Sequence, residues 1–224
     1  GETLLAARRD ARLKSAEGEF AAALATLEEV AGELRAAGQT QTLGYTLVQA
    51  ANIAAAGGEP TRSVALAREA LAVFDRLFGP SHVDTAFARS ALGHALALEG
   101  RHAAADRELE RALADEVAGD TATSDFHADT LERRGNLRLL EGRSAEARVL
   151  LEQALAIRRA NSPDGSRAMG TTLVLLEQAL EEAERRTRCR PLLEEATTLL
   201  AQALGERHPQ RQAAERALAA CPPS

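Results

Sequence analysis

Residues 100–113 read GRHAAADRELERAL and residues 142–155 read GRSAEARVLLEQAL, so the chain contains nearly the same segment twice. Both segments begin with Gly-Arg, carry an alanine five residues after the glycine and end on Ala-Leu. Gly58, Gly100 and Gly142 are evenly spaced along the chain, and this spacing defines a 42-residue period. A fixed interval of this length is typical of a protein built from a repeated structural unit.

The repeat continues in weaker form toward both ends of the 224-residue chain. Gly18 marks an earlier copy at a slightly shorter interval before Gly58, and Glu184 stands where the next glycine is expected. The segment RCRPLLEEA at 188–196 nevertheless aligns without a gap with EARVLLEQA at 146–154. We therefore predict one repeat domain of five units with a closing helix. The predicted units are 2–41, 42–83, 84–125, 126–167 and 168–208, and the predicted closing helix is 209–220.

Each unit divides into two helices near its glycine. In the third unit, TAFARSALGHALALEG at 85–100 has apolar residues at helical spacing and stops at Gly100, a residue suited to a left-handed C-terminal cap. RHAAADRELERALADEV at 101–117 is the predicted second helix. Hydrophobic residues make up 45% of the chain, aromatic residues only 3%, and no segment alternates with the period of a strand. The sequence therefore predicts an all-α protein.

Small residues recur at two fixed distances from each turn. Seven residues before the turn position lie Ala11, Ala51, Gly93 and Gly135, and five residues after it lie Ala23, Ser63, Ala105, Ala147 and Cys189. Small side chains at both places allow paired helices to approach to about 8–10 Å. We interpret Cys189 as one more small residue of this series, with a reactive or disulfide-bonded thiol as the alternative. The fifth unit has Glu177 at the small position and Glu184 at the turn, so its first helix is expected to pack differently or to run on.

Paired helices with small residues at these positions resemble tetratricopeptide repeats. The 42-residue period and the linkers FGPSHVDTA at 78–86 and LGERHP at 204–209 resemble, more specifically, the longer repeats of kinesin light chains and their bacterial relatives. This resemblance covers nearly the whole chain. It implies a right-handed superhelical solenoid of about five helical hairpins, capped by a C-terminal helix. It also implies that the first helices line a concave groove in which a protein or peptide partner binds.

Composition and charge narrow the classes of partner. The net charge is −6 and both signs are interspersed, which disfavours nucleic acid as a partner. No apolar run reaches about 18 residues, so no membrane span is predicted. Cys189 and Cys221 lack metal-ligand spacing and favour a reducing compartment, so we expect a cytoplasmic location. Lys14 is the sole lysine beside many arginines, which is typical of GC-rich bacteria.

The sequence contains no recognisable catalytic motif. His82 and His208 occupy equivalent linker positions, so the repeat explains them better than metal ligation does. His94, His102 and His127 lack further ligands at a usual spacing. There is no glycine-rich phosphate loop, serine elbow or HExxH motif. We therefore predict no catalytic residue, no metal site, no cofactor and no enzymatic activity.

The predicted binding surface is a stripe of polar residues on the first helices. The residue after each small position is polar in all five units, and further polar residues lie one turn earlier on nearly the same side. Tyr45 and Phe87 share an equivalent position that faces the groove in the family, with core packing as the alternative. The complete predicted site is Arg8, Arg12, Tyr45, Gln49, Asn52, Phe87, Ser90, His94, Asp129, Glu132, Arg133, Asn136 and Gln178.

The charges of this stripe suggest an orientation for a ligand. Arg8, Arg9 and Arg12 make one end basic. Asp129, Glu132, Glu181 and Glu182 make the other end acidic. A solvated concave face without a ligand is the alternative interpretation.

Two functional hypotheses remain. In the first, the chain is a protein-interaction module that holds a peptide or partner segment in its groove. In the second, it is the C-terminal regulatory or scaffolding region of a larger bacterial signalling enzyme, such as a Ser/Thr protein kinase. The opening segment GETLLAARRD has no methionine and is already in helical rhythm, so we expect that the domain comes from a longer protein. An independent enzyme is the least favoured hypothesis.

Overall fold

The computed structural model describes residues 2–222, which form eleven helices and no strand. The helices are α1 (Glu2–Glu17), α2 (Phe20–Ala36), α3 (Thr40–Ala56), α4 (Pro60–Phe78), α5 (Val83–Leu98), α6 (His102–Ala118), α7 (Asp125–Leu140), α8 (Ser144–Asn161), α9 (Arg167–Gln178), α10 (Glu182–Ala203) and α11 (Pro209–Ala220). The prediction of an all-α fold of five hairpins and a closing helix is confirmed.

The chain divides into two compact units. The first unit, Gly1–Ala122, contains the hairpins α1/α2, α3/α4 and α5/α6, and the second unit, Thr123–Ser224, contains α7/α8, α9/α10 and α11. Inside each unit, the second helix of one hairpin packs on the first helix of the next. First helices also contact each other, α3 with α5 in the first unit and α7 with α9 in the second. Each unit therefore has a row of neighbouring first helices.

The repeated glycines end the first helices in one common geometry. Gly18, Gly58, Gly100 and Gly142 all have positive φ, between 73° and 86°. At Gly100, the amide of Arg101 donates to the carbonyl of Leu96 and the amide of Gly100 donates to the carbonyl of Ala97. This pair of hydrogen bonds is a Schellman motif, and its left-handed position favours glycine. The glycine repeat thus specifies where the chain reverses.

A second column of residues with the same period begins the helices that follow the linkers. His82, Ser124, Ser166 and His208 are the N-caps of α5, α7, α9 and α11, and each side chain accepts a hydrogen bond from an amide of the first turn. A capping acceptor satisfies one of the amides that have no partner inside the helix. The linker histidines therefore have a structural role that recurs with the repeat.

The fifth hairpin replaces the missing glycine turn with a different one. α9 ends early at Gln178 and does not run on, and α10 begins at Glu182. Glu181 and Glu184 form a capping box at the start of α10. Glu177 is buried and its carboxylate accepts a hydrogen bond from Arg185, at 2.9 Å. The turn therefore lies nearer to α9, and a charged pair replaces the small residue.

The predicted small positions are buried contacts between paired helices. A Cβ added at Gly93 would lie 2.6 Å from Cγ of Leu109, and one added at Gly135 would lie 2.8 Å from Cγ of Leu151. A side chain cannot be accommodated at such distances without displacing the leucine. The small residues are therefore needed for the close approach of the helices.

The interpretation of Cys189 needs correction. Its side chain is buried in the small-residue series as expected, yet it is also joined to Cys221 by a disulfide bond. The alternative of a bridged thiol is therefore the one observed. The sequence separation of the two cysteines could not indicate this bond, because the pairing depends on how α11 packs on α10.

Candidate functional site

All thirteen predicted site residues lie on the first helices of the hairpins. α1 carries Arg8 and Arg12; α3 carries Tyr45, Gln49 and Asn52; α5 carries Phe87, Ser90 and His94; α7 carries Asp129, Glu132, Arg133 and Asn136; and α9 carries Gln178. Within each helix that carries several of them, most of the spacings are three or four residues, so the side chains share one side of the helix.

In the first unit, Tyr45 and Phe87 are half-buried and pack together. Their ring centroids are 6.1 Å apart, and Tyr45 also contacts the buried ring of Phe74 edge-on at 5.1 Å. The hydroxyl of Tyr45 donates a hydrogen bond to the carboxylate of Asp84. Burial, together with this carboxylate, raises the pKa of Tyr45 to about 12. These rings belong to the packing between α3, α4 and α5, as the alternative interpretation predicted, and they remain partly exposed.

Several side chains have a buried donor atom that makes no hydrogen bond. Among the described residues, these atoms include Nε of Arg8, Nε2 of Gln49 and Nε of Arg89 in the first unit and Nε of Arg158 in the second, and solvent does not reach them. Burial and the neighbouring Arg12 lower the pKa of Arg8. A buried donor without a partner costs about 1–3 kcal/mol of stability.

The remaining predicted residues of the first unit differ in accessibility. Arg12 is exposed, and Asn52 and His94 are half-buried. Ser90 is a correction to the predicted site, because it is only 1% exposed and belongs to the interior. Helical spacing places Ser90 on the same side of α5 as Phe87 and His94, so spacing alone could not show that Ser90 is buried.

In the second unit, Arg158 of α8 changes the predicted site. Its guanidinium is 2% exposed and donates to the carboxylates of Asp129 and Glu132 and to the hydroxyl of Thr172. Thr172 in turn donates to Glu132 at 2.6 Å. Burial acts to lower the pKa of Arg158, but the two carboxylates outweigh it, so the pKa is raised.

The predicted acidic end of the site is partly compensated by Arg158. Its single positive charge pairs with both Asp129 and Glu132, which leaves one net negative charge, and the Asp129 side chain stays 37% exposed. Glu181 and Glu182 lie at the start of α10, where carboxylates stabilise the helix N-terminus. Arg133 and Asn136 are half-buried on α7 and Gln178 is exposed at the end of α9, so these three residues are accessible, as is part of Asp129.

The sequence-based prediction omitted Arg158, although the repeat contains a signal for it. Equivalent positions of the second helices hold Phe74, Glu116, Arg158 and Leu200, and all four are buried. Two charged residues in a column otherwise occupied by large apolar side chains indicate buried ionic partners. Comparison of second-helix columns would therefore have identified the position.

The exposed sides of the second helices carry ion pairs between neighbouring hairpins. Arg35 of α2 binds Glu69 of α4 through two hydrogen bonds of 2.8 and 2.9 Å. In the second unit, Arg148 and Arg159 of α8 pair with Glu184 and Glu195 of α10. These charges have partners within their own unit, in contrast to the buried donors of Arg8 and Gln49.

Neither a metal-ligand cluster nor a membrane-spanning helix is found among residues 2–222. The described residues contain no group of three metal-ligating side chains close enough to hold an ion. None of the described helices is both long and apolar enough to cross a membrane.

Repeated helical hairpins with glycine turns and small contact residues define an α-helical repeat protein. Residues 42–115 match the family described as tetratricopeptide repeat. Residues 42–115 therefore contain tetratricopeptide repeats, and the predicted resemblance is confirmed. Repeats of this kind generally mediate protein–protein interaction.

Solved structures with the same fold include the repeats of a kinesin light chain. The TPR-like repeats of a Podosopora anserina kinesin light chain are 20% identical, with a TM-score of 0.58 over 92% of this chain and 97% of that one. A variant of the same repeats gives 0.60 over 89% and 95%, also at 20% identity. BtubC (BKLC) from P. vanneervenii is 18% identical, with a TM-score of 0.60 over 86% of this chain and 77% of that one. No curated protein matches the sequence.

Proposed function

We propose that the chain is a protein-interaction module that binds a peptide or partner segment on its first helices. The main support is the tetratricopeptide-repeat match of residues 42–115, because repeats of this kind generally mediate protein–protein interaction. The first helices also carry partly accessible polar side chains, such as Asn52 and Asn136, whereas many exposed charges of the second helices are paired with one another. A bound segment would pair with the polar groups of the first helices.

The chemistry of this surface favours an extended segment with exposed carbonyl or carboxylate oxygens. Amide side chains such as Asn52 and Asn136 both donate and accept, so they suit the main chain of a peptide. In the first unit, Arg8 and Arg12 add two positively charged groups that donate hydrogen bonds. The half-exposed rings of Tyr45 and Phe87 offer apolar surface beside these groups. In the second unit, the proposed contacts are Arg133, Asn136 and Gln178.

The test uses peptides selected from a displayed random library and then measured by fluorescence anisotropy. Replacing both Asn52 and Asn136 with alanine should weaken binding by roughly tenfold or more, equivalent to about 1.4 kcal/mol. The control variant is Gln153→Ala, because Gln153 is an exposed amide on the second helix α8. It should bind like the unmodified chain.

Thermal unfolding of the same proteins separates binding from folding. Unchanged binding by the Asn52/Asn136 variant would contradict the proposal. A marked fall in its melting temperature would instead assign the two amides to the structure of their helices.

Two further expectations, a regulatory role in a larger enzyme and a cytoplasmic location, stay predictions. A regulatory region of a larger bacterial signalling enzyme would have the same binding surface. The gene sequence upstream of the codon for Gly1 would distinguish this role from that of an independent interaction module.

The Cys189–Cys221 bond argues against a cytoplasmic location, since structural disulfides persist in oxidising compartments. The redox state of these cysteines in the producing cell is the decisive measurement.

A further inference from the structure

The closing helix α11 has little apolar surface with which to hold its place. Ala214 is its one fully buried residue among those described. Ala217 and Leu218 are partly buried in the cluster that contains Leu193 of α10 and Val174 of α9. In contrast, α10 buries five residues, three of which are leucines. Because hydrophobic stabilisation scales with buried area, apolar contacts alone hold α11 weakly.

The hydrogen bonds described for the side chains of α11 are local. Arg211 donates to the carbonyl of Leu204, the residue that follows α10, and pairs with Glu215 one turn later. Gln212 donates to the carbonyl of Glu206 at 3.3 Å. These bonds support the start of the helix and its own surface, and they do not join its body to α9 or α10.

The disulfide bond is the strong connection between α11 and the rest of its unit. Cys221 directly follows the last turn of α11, and Cys189 lies in α10, with 5.9 Å between the two Cα atoms. Packing at the Cys189 position does not require a thiol, because Ala105 and Ala147 occupy the equivalent buried positions of earlier hairpins. The sulfur atoms therefore serve to attach the end of α11.

We propose that the Cys189–Cys221 disulfide is a redox latch that keeps α11 over the end of the repeat. An external dithiol reduces it: two electrons and two protons pass to the cysteines, the S–S bond breaks, two thiols form and the reductant becomes a disulfide. Local opening of the last turn of α11 suffices to expose the sulfur of Cys221. Reduction then leaves α11 with its weak apolar contacts, and the face formed by Val174 and Leu193 becomes accessible.

Hydrogen exchange measured by mass spectrometry tests the latch on the full chain. Treatment with dithiothreitol should accelerate amide exchange in residues 209–220 by roughly tenfold or more, with exchange in α1–α6 unchanged. The double variant Cys189→Ala/Cys221→Ser should show the fast exchange without reductant. Dithiothreitol should then have no further effect on it, which controls for action of the reductant elsewhere.

Three results would overturn the proposal. The first is equal exchange of residues 209–220 in the oxidised and reduced chains. The second is faster exchange in every helix, since the bond would then support the whole fold rather than the closing helix. The third is two free thiols in protein purified in air without reductant. Because the comparison of oxidised with reduced wild-type chain needs no substitution, it remains valid if the double variant does not fold.

Discussion

The second and fourth hairpins place opposite chemistry at the same repeat positions. Arg158 lies two repeats after Phe74, and its partner Asp129 lies two repeats after Tyr45, the partner of Phe74. In the second hairpin, a buried phenylalanine contacts the edge of a tyrosine ring. In the fourth, a buried guanidinium binds a carboxylate. Both central side chains are at most 2% exposed.

This difference shows that the repeat determines where a contact forms, whereas the two residues at those positions determine whether it is aromatic or ionic. The small residue beside each central side chain also differs between the two hairpins. A Cβ added at Gly44 would lie 2.5 Å from the Phe74 ring, whereas the equivalent residue beside Arg158 is Ala128, which is fully buried. A substitution at one position is therefore tolerated only with its partners.

The largest expected effect is that of Arg158→Leu. Removing the guanidinium leaves Asp129 and Glu132 without their partner, and breaking a buried pair in this way costs about 3–5 kcal/mol. We expect the lower end of this range because the Asp129 side chain is 37% exposed. Chemical denaturation measures the loss.

A matched variant tests whether the second hairpin's chemistry can replace that of the fourth. It combines Ala128→Gly, Asp129→Tyr, Glu132→Val and Arg158→Phe, which introduce the residues found at the equivalent positions of the second hairpin. Since apolar replacements of buried ion pairs are often neutral or stabilising, it should recover most of the lost stability. A combined variant less stable than Arg158→Leu would show that the positions are not equivalent.

The same contrast explains how much could be predicted from the sequence. Helix pairing, turn positions and the closing helix follow from local signals, namely the positive-φ glycines and the recurrence of small residues. The site was predicted less completely. Arg158 reaches Asp129 and Glu132 from another helix, and Cys189 reaches Cys221 only because α11 folds back. Such contacts depend on tertiary packing, which periodicity within one helix does not reveal.

The histidine caps extend the comparison and give a pH-dependent effect of intermediate size. His208 is buried and accepts a hydrogen bond through Nδ1, whereas the equivalent His82 is exposed. Burial and the nearby Arg167 lower the pKa of His208 below its usual 6.5. The unfolded chain therefore binds the proton more readily, and stability falls as the pH drops from about 6.5 toward the lowered value. Protonation also removes the cap acceptor, so the loss is on the order of 1 kcal/mol.

His208→Ser is the matched control, because Ser124 and Ser166 are the caps at the equivalent positions. A serine accepts the same type of hydrogen bond and does not titrate. Denaturation between about pH 7.5 and 5 should show a steeper loss for the unmodified chain than for this variant. Parallel pH profiles would assign the acid sensitivity to other groups.

The smallest expected effect belongs to the exposed ion pair of Arg35 and Glu69. It has the same kinds of group as the Arg158 network and two well-formed hydrogen bonds, yet its side chains are 45% and 41% exposed. Water solvates both charges after the pair is broken, so Arg35→Gln should cost no more than about 0.5–1 kcal/mol. The loss should shrink further at about 1 M salt, where the screening length falls to about 3 Å, whereas the effect of Arg158→Leu should persist. Equal salt dependence of the two variants would show that exposure does not separate them, and the distinction between a structural and a surface arginine in this repeat would fail.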